Sequence, residues 1–116
     1  MGVMAGLDAS IRDKALGAAA VLGRLGIVRA AYVFGSYAEG RGDQWSDIDL
    51  AAFVEGVENW DLARRAKAMA LVMTEAGAEV EAHLFPASAL ANPERGGFAE
   101  YVLQHGVCIQ GHVDCF

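Results

Sequence analysis

Two aspartates that share one face of a predicted strand are the clearest chemical feature of the chain. Asp47 and Asp49 begin a segment, residues 47–55, in which apolar side chains recur at every second position, a period typical of a β-strand. Both carboxylates then point the same way, and such close like charges stay ionised together only beside a positive partner. Mg²⁺ meets this need because it prefers oxygen ligands and completes its shell with water and phosphate oxygens.

A glycine–serine pair precedes these aspartates, separated from them by a short polar loop. Gly35 and Ser36 follow an apolar run, residues 28–34, that is rich in strand-forming side chains. A glycine there allows a tight turn and close approach to a ligand, and if a helix begins at Ser36, its free N–H groups favour an anion. A phosphate cradle and a metal-binding pair in one strand–loop–strand unit are what nucleotidyl transfer requires. The alternative is a plain turn glycine followed by two solvated acids.

The segment from Gly35 to Leu50 resembles the signature of the DNA polymerase beta-like nucleotidyltransferase superfamily, which is Gly-Ser, a loop and Asp-x-Asp. Ten residues separate Ser36 from Asp47, and this spacing is similar to that of the minimal nucleotidyltransferase (MNT) branch. The similarity extends to neighbouring positions and to a closing segment: Ala38, Gly40, Ser46-Asp47-Ile48-Asp49-Leu50 and residues 101–107. With the preceding helix and strand and the later acidic strand, the resemblance covers most of the chain.

The resemblance implies a nucleotidyltransferase fold with a small mixed β-sheet and a site that holds two Mg²⁺ ions. Asp47 and Asp49 would bridge both metals, and Gly35 and Ser36 would bind the phosphates of a nucleotide. The implied reaction transfers a nucleoside monophosphate, AMP when ATP is the donor, to an acceptor hydroxyl and releases pyrophosphate.

The family's third metal-binding carboxylate lies on a neighbouring strand, beside the attacking hydroxyl, which it helps to deprotonate. Glu81 stands at that position, where the family usually has aspartate. Its longer side chain can still reach a metal, or the change can mark a weakened second-metal site. Glu79 is the weaker substitute, and His83 on the same strand face is expected to be a structural histidine.

Periodicity and capping residues predict the elements that position these motifs. Helices are expected at residues 7–26, 59–76 and 98–105, and strands at residues 28–34, 47–55 and 79–85, with a short apolar segment at 107–109. The second helix is expected to bury Leu62, Ala66, Met69 and Met73. This order predicts an α/β (α+β) fold, a sheet with helices packed on one side, in a single domain over residues 1–116.

Charge and composition exclude several classes of function. Nine Lys and Arg against fifteen Asp and Glu give a net charge of −6, which argues against a partner that is long DNA or RNA. No apolar run approaches the roughly 18 residues that span a bilayer, and no basic residue precedes the first apolar stretch as in a secretory signal. A cytoplasmic protein is expected. Cys108 and Cys115 lack metal-type spacing and are expected to be free thiols.

The resemblance also implies a partner protein. Many MNT relatives of this size are encoded beside a small helical HEPN protein, a ribonuclease toxin that the MNT member neutralises by binding or by attaching AMP. The leading hypothesis is therefore a Mg-dependent antitoxin that transfers AMP from ATP to a hydroxyl of a HEPN-type partner, in a homo- or hetero-oligomer. Two alternatives stay open: a small-molecule (aminoglycoside-type) nucleotidyltransferase, and a non-catalytic nucleotide-binding antitoxin module.

Overall fold

The computed structural model describes residues 7–41 and 47–111. Within these ranges the helices are α1 (Ala9–Gly23), α2 (Leu62–Glu75) and α3 (Phe98–His105), and the strands are β1 (Val28–Phe34), β2 (Ile48–Val54), β3 (Val80–Pro86) and β4 (Val107–Gln110). Short 3-10 turns cover Val57–Asn59 and Ala87–Leu90. Of the predicted loop that contains Trp45 and Ser46, residues 42–46 lie outside the described residues.

The four strands form one mixed sheet in the order β3-β2-β1-β4. β1 runs antiparallel to both β2 and β4, whereas β2 and β3 are parallel, because a helical crossover, α2, connects them. The register sets Phe34 opposite Asp49 and Asp49 beside Glu81. The end of β1 and the starts of β2 and β3 therefore meet at one edge of the sheet, which confirms the expected mixed α+β architecture.

Helices cover both faces of this sheet. α1 and α2 pack on the face that carries Val33, Leu50 and Ala82. α3 and the second 3-10 turn pack on the opposite face, against Tyr32 and Phe53. The expectation that the helices lie on one side is therefore wrong for α3. The inner strands are buried on both faces, and an apolar residue at every strand position does not reveal which face a given helix covers.

An aspartate caps the N-terminus of each of the first two helices. The Asp8 carboxylate accepts a hydrogen bond from the Ser10 N–H at 2.8 Å, and the Asp61 carboxylate accepts one from the Arg64 N–H at 2.8 Å. Each bond satisfies a backbone donor that the first helical turn leaves open. Asn59, the residue at which the second helix is expected to begin, lies instead in the preceding 3-10 turn.

The buried side of α2 differs from the predicted one. Leu62 is 81% exposed and Met73 is 49% exposed, whereas Ala68 and Val72 are fully buried. Apolar residues occupy two adjacent stripes of this helix, and helical periodicity alone cannot choose between them. Packing of α2 against α1 and β3 selects the stripe with the smaller side chains.

Two further expectations have structural outcomes. None of the helices in the described ranges has the length and apolar character that crossing a bilayer requires. Cys108 is disulfide-bonded and half-buried, so the expectation of a free thiol at this position is wrong, and Cys115 lies outside the described residues.

Substitutions in the two stripes of α2 should differ in their effect on the free energy of unfolding. Val72→Ala removes two methyl groups from a fully buried position and should lower the free energy of unfolding by about 2 kcal/mol. Leu62→Ala, at an exposed position of the same helix, should change it by less than about 0.5 kcal/mol. Urea unfolding measures both, and a larger loss for Leu62→Ala would contradict this packing.

Candidate active site

The turn after β1 brings the backbone against an aspartate of the next strand. Gly35 follows Phe34 with a φ of 79°, a left-handed conformation that costs other residues about 1–2 kcal/mol. A Cβ atom at this position would lie 2.5 Å from Asp49 Oδ2, closer than van der Waals contact allows. Gly35 is therefore required both for the turn and for the place of the Asp49 carboxylate.

Backbone hydrogen bonds close the turn that follows. The Glu39 N–H donates to the Gly35 carbonyl at 3.0 Å, and the Arg41 N–H donates to the Ser36 carbonyl at 2.8 Å. Residues 35–40 form hydrogen-bonded turns and not a helix, so the helix considered at Ser36 does not form. In the described ranges the Ser36 N–H and hydroxyl make no hydrogen bond to the protein, which leaves both donors available to an anion.

Two carboxylates and an imidazole meet on the α3 side of the sheet. Asp49 and Glu81 are neighbours across the β2–β3 pair. His83 Nε2 lies 3.6 Å from Asp49 Oδ1 and 4.0 Å from Glu81 Oε1. The ligand atoms of all three lie within 4.8 Å of one another. We call Asp49, Glu81 and His83 the β2–β3 cluster.

The electrostatics of the β2–β3 cluster favour a cation. Burial raises the pKa of the Asp49 carboxyl above its usual value, and repulsion by Glu81 and Asp47 raises it further, against an opposing effect of the His83 imidazole. His83 Nε2 is buried without a hydrogen-bond partner in the described part of the chain. A half-buried carboxylate, a more exposed one and a buried nitrogen without a hydrogen bond match the donor chemistry of a divalent metal site.

Asp47 lies apart from the β2–β3 cluster. It is exposed just before β2, and among the described residues it is not in the set whose ligand atoms approach within 4.8 Å. Its side chain lines a cavity of about 530 Å³ that Glu81 also lines, with Met69 and Met73 of α2 on the wall. The Asp47 carboxylate thus repels that of Asp49, although the two do not belong to one set of closely spaced ligand atoms.

The neighbouring acid Glu79 has another role. Its carboxylate pairs with Lys14 of α1, and this contact holds the pKa of Glu79 below its usual range. Glu79 lies before the first residue of β3. The acid on β3 that contacts the Asp49 region is therefore Glu81.

A polar contact joins α3 to the turn after β1. The Tyr101 hydroxyl donates to Glu39 Oε2 at 2.7 Å, and Glu39 also pairs with Arg41. The hydrogen bonds from Arg41, which has the larger effect, and from Tyr101 lower the pKa of Glu39. The hydrogen bond to Glu39 raises the pKa of Tyr101. The turn that carries Gly35 is thereby tied to the helix above the β2–β3 cluster.

His83 differs from the structural histidine that its place in the sequence predicts. Within the described residues its Nε2 atom is buried without a hydrogen bond and lies 3.6 Å from Asp49 Oδ1. The available signal was its position two residues after Glu81 on a strand, which places both side chains on one face.

Comparisons with known proteins bear on the family and the fold of the chain. The family model described as polymerase beta, nucleotidyltransferase matches residues 19–111. A solved toxin–antitoxin structure with AMP-PNP is similar in fold, with a TM-score of 0.58 and 21% identity over 89% of this chain and 75% of that one. A Sulfolobus solfataricus protein provisionally assigned as a nucleotidyltransferase has a TM-score of 0.47 and 17% identity over 74% of this chain and 82% of its own. No curated protein matches the chain significantly.

Gly35 and Gly40 form a matched pair for testing the turn. Their φ angles are 79° and 77°, but a Cβ at Gly40 meets nothing within 4 Å. Gly40→Ala should cost only the left-handed backbone penalty, about 1–2 kcal/mol. Gly35→Ala should cost more, because it must also displace the Asp49 carboxylate. Equal losses in urea unfolding would show that the Asp49 carboxylate moves aside without cost to stability, so that Gly35 stabilises the fold only through its turn conformation.

Proposed function

The chain belongs to the polymerase beta nucleotidyltransferase family, and we propose that it transfers AMP from ATP to a hydroxyl of a protein partner, as the antitoxin of a HEPN/MNT pair. The observation that carries the proposal is the contact between the Gly35 turn and Asp49. It sets the hydrogen-bond donors of Ser36 beside carboxylates suited to a metal. A nucleoside triphosphate with its metal needs hydrogen-bond donors for the phosphates and carboxylates for the metal next to each other.

The proposal gives each site residue a role. Gly35 lets the triphosphate approach the backbone, and Ser36 donates hydrogen bonds to a phosphate oxygen. Asp47, Asp49 and Glu81 hold divalent metal, which the family resemblance assigns as two Mg²⁺ ions. Metal bound there supplies positive charge that stabilises the attacking and leaving oxygens.

Glu81 is the best placed of these residues to meet an acceptor. Its side chain is 59% exposed, whereas Asp49 is half-buried against the Gly35 turn. An acceptor hydroxyl that approaches from solvent reaches Glu81 first, and this carboxylate can take up the hydroxyl proton as the new bond to phosphorus forms. Pyrophosphate then leaves on the side of the Gly35 turn.

Two observations favour a protein acceptor that is bound in a complex. The net charge of −6 argues against long nucleic acid. The similar toxin–antitoxin structure was solved with AMP-PNP, which makes ATP the first donor and a toxin partner the first acceptor to test. An action on a partner in the same cell accords with the cytoplasmic location expected from the sequence.

A non-catalytic antitoxin that only binds nucleotide is the second candidate. The position of Asp47, outside the β2–β3 cluster, favours it, because two-metal transfer needs both aspartates on the metals. A bound nucleotide would then stabilise the complex with the partner without transfer. The two candidates differ in one measurable product, the labelled acceptor.

Transfer should depend on the charge of Asp49. The protein is incubated with Mg²⁺, ATP labelled at the α-phosphate and host lysate, and labelled protein bands are counted. Asp49→Asn should lower labelling by at least about 100-fold, because it removes a metal ligand. Asp13→Asn, the same change on the exposed side of α1, should leave labelling unchanged.

The fold of the Asp49→Asn variant is checked in the same preparation. Removal of a desolvated, repelled charge should leave metal-free stability unchanged or raise it, so a loss of transfer would not be a loss of fold. Full transfer by this variant would contradict the role of Asp49. Nucleotide binding without label on any acceptor would support the non-catalytic candidate.

A further inference from the structure

The imidazole of His83 is held in one place by aromatic neighbours. Its ring makes edge contacts with Phe34 at 5.1 Å and with Phe98 at 5.5 Å between ring centroids. Phe34 ends β1 and Phe98 begins α3, so the ring, 27% of whose side chain is exposed, lies between the sheet and the helix that covers it. These contacts leave Nε2 as the ring atom that faces the carboxylates of Asp49 and Glu81.

The His83 ring nitrogen has no partner that accounts for its burial. Nε2 is buried and makes no hydrogen bond within the described ranges. Its distances to the two carboxylates, 3.6 and 4.0 Å, exceed those of a hydrogen bond. Although 27% of the His83 side chain is exposed, Nε2 itself is buried and lies at ion-pair distance from the two acids without a hydrogen bond to either. A buried nitrogen of this kind indicates a ligand that it shares with the two carboxylates.

The same distances fit ligands that share one ion. Metal–nitrogen and metal–oxygen bonds of divalent ions are roughly 2.1 Å long, so two ligand atoms of one ion lie at most about 4.2 Å apart. Both distances from His83 Nε2 are within that limit. An ion between the three side chains would have one nitrogen and two oxygen ligands and would neutralise the charge of both acids.

We propose that His83 Nε2 is a direct ligand of a divalent metal held with Asp49 and Glu81, and that this nitrogen makes the site prefer a transition metal such as Mn²⁺ to Mg²⁺. The proposal rests on the metal site of the proposed function but not on transfer itself. Mg²⁺ is bound almost entirely by oxygen, whereas imidazole suits first-row transition metals. Mn²⁺ accepts both kinds of ligand and also binds phosphate oxygens, so it serves a nucleotide site as well.

Mn²⁺ binding to the nucleotide-free protein tests the proposal without any activity assay. Electron paramagnetic resonance counts free Mn²⁺ during a titration, and Mg²⁺ affinity follows from competition. Wild type should bind Mn²⁺ at least about tenfold more tightly than Mg²⁺. His83→Leu, which keeps an apolar side chain between the two phenylalanines, should weaken Mn²⁺ binding by at least about tenfold and Mg²⁺ binding much less.

Two further measurements separate ligation from a general effect on the fold. Pulsed electron paramagnetic resonance of bound Mn²⁺ should detect coupling to a nitrogen nucleus in wild type and lose it in His83→Leu. The control, His105→Leu, changes an exposed histidine of α3 whose ring contacts that of Tyr101 at a tilt, and it should keep both the coupling and the affinity.

The outcomes distinguish this proposal from the proposed function. Mn²⁺ bound without nitrogen coupling, or with equal affinity in wild type and His83→Leu, would overturn the role of His83 even if transfer occurs. Nitrogen coupling that is lost in His83→Leu would support it even if no acceptor is ever labelled. A protein that binds no Mn²⁺ at millimolar concentration would also overturn it.

Discussion

The approach of Gly35 to Asp49 is the constraint on which the site depends. β1 and β2 pair so that Phe34 lies opposite Asp49, and the chain must then turn away without a side chain between them. Only glycine combines a φ of 79° with an Asp49 oxygen 2.5 Å from its would-be Cβ. The close approach puts the donors of the following turn next to a half-buried carboxylate. The proposed metal-bound triphosphate would require this combination, and a simple turn would not.

The two faces of the sheet differ in what they carry: one is an apolar packing surface, and the other also carries the candidate site. The face under α1 and α2 carries the larger apolar cluster, so the strands are held from that side. The opposite face is apolar beneath α3 and becomes polar at the edge where the β2–β3 cluster lies. Side chains alternate along each strand, so one register positions Leu50 in the core and Asp49 in the site. The same aromatic packing under α3 that completes the second face also orients His83.

Strong local patterns made part of this structure predictable. β1 and α3 have the predicted bounds, residues 28–34 and 98–105. A short apolar run with strand-forming residues predicts the first, and an apolar segment between Gly97 and Gly106 predicts the second. The buried stripe of α2 and the face of the sheet that α3 covers depend on contacts with distant elements. The hydrophobic periodicity within one helix does not indicate those contacts. The proximity of Glu81 to Asp49 followed from the family resemblance. The orientation of His83 depends on two phenylalanines far apart in the sequence, which spacing could not reveal.

A crystal structure of the protein with Mn²⁺ and a non-hydrolysable ATP analogue is the most direct test of the account. Anomalous scattering from manganese locates the metal without reference to any assumed ligand. The account predicts a metal peak within about 2.2 Å of an Asp49 carboxylate oxygen, with the triphosphate against Gly35 and Ser36. A nucleotide bound elsewhere, or a triphosphate at the turn with no metal at Asp49, would contradict it.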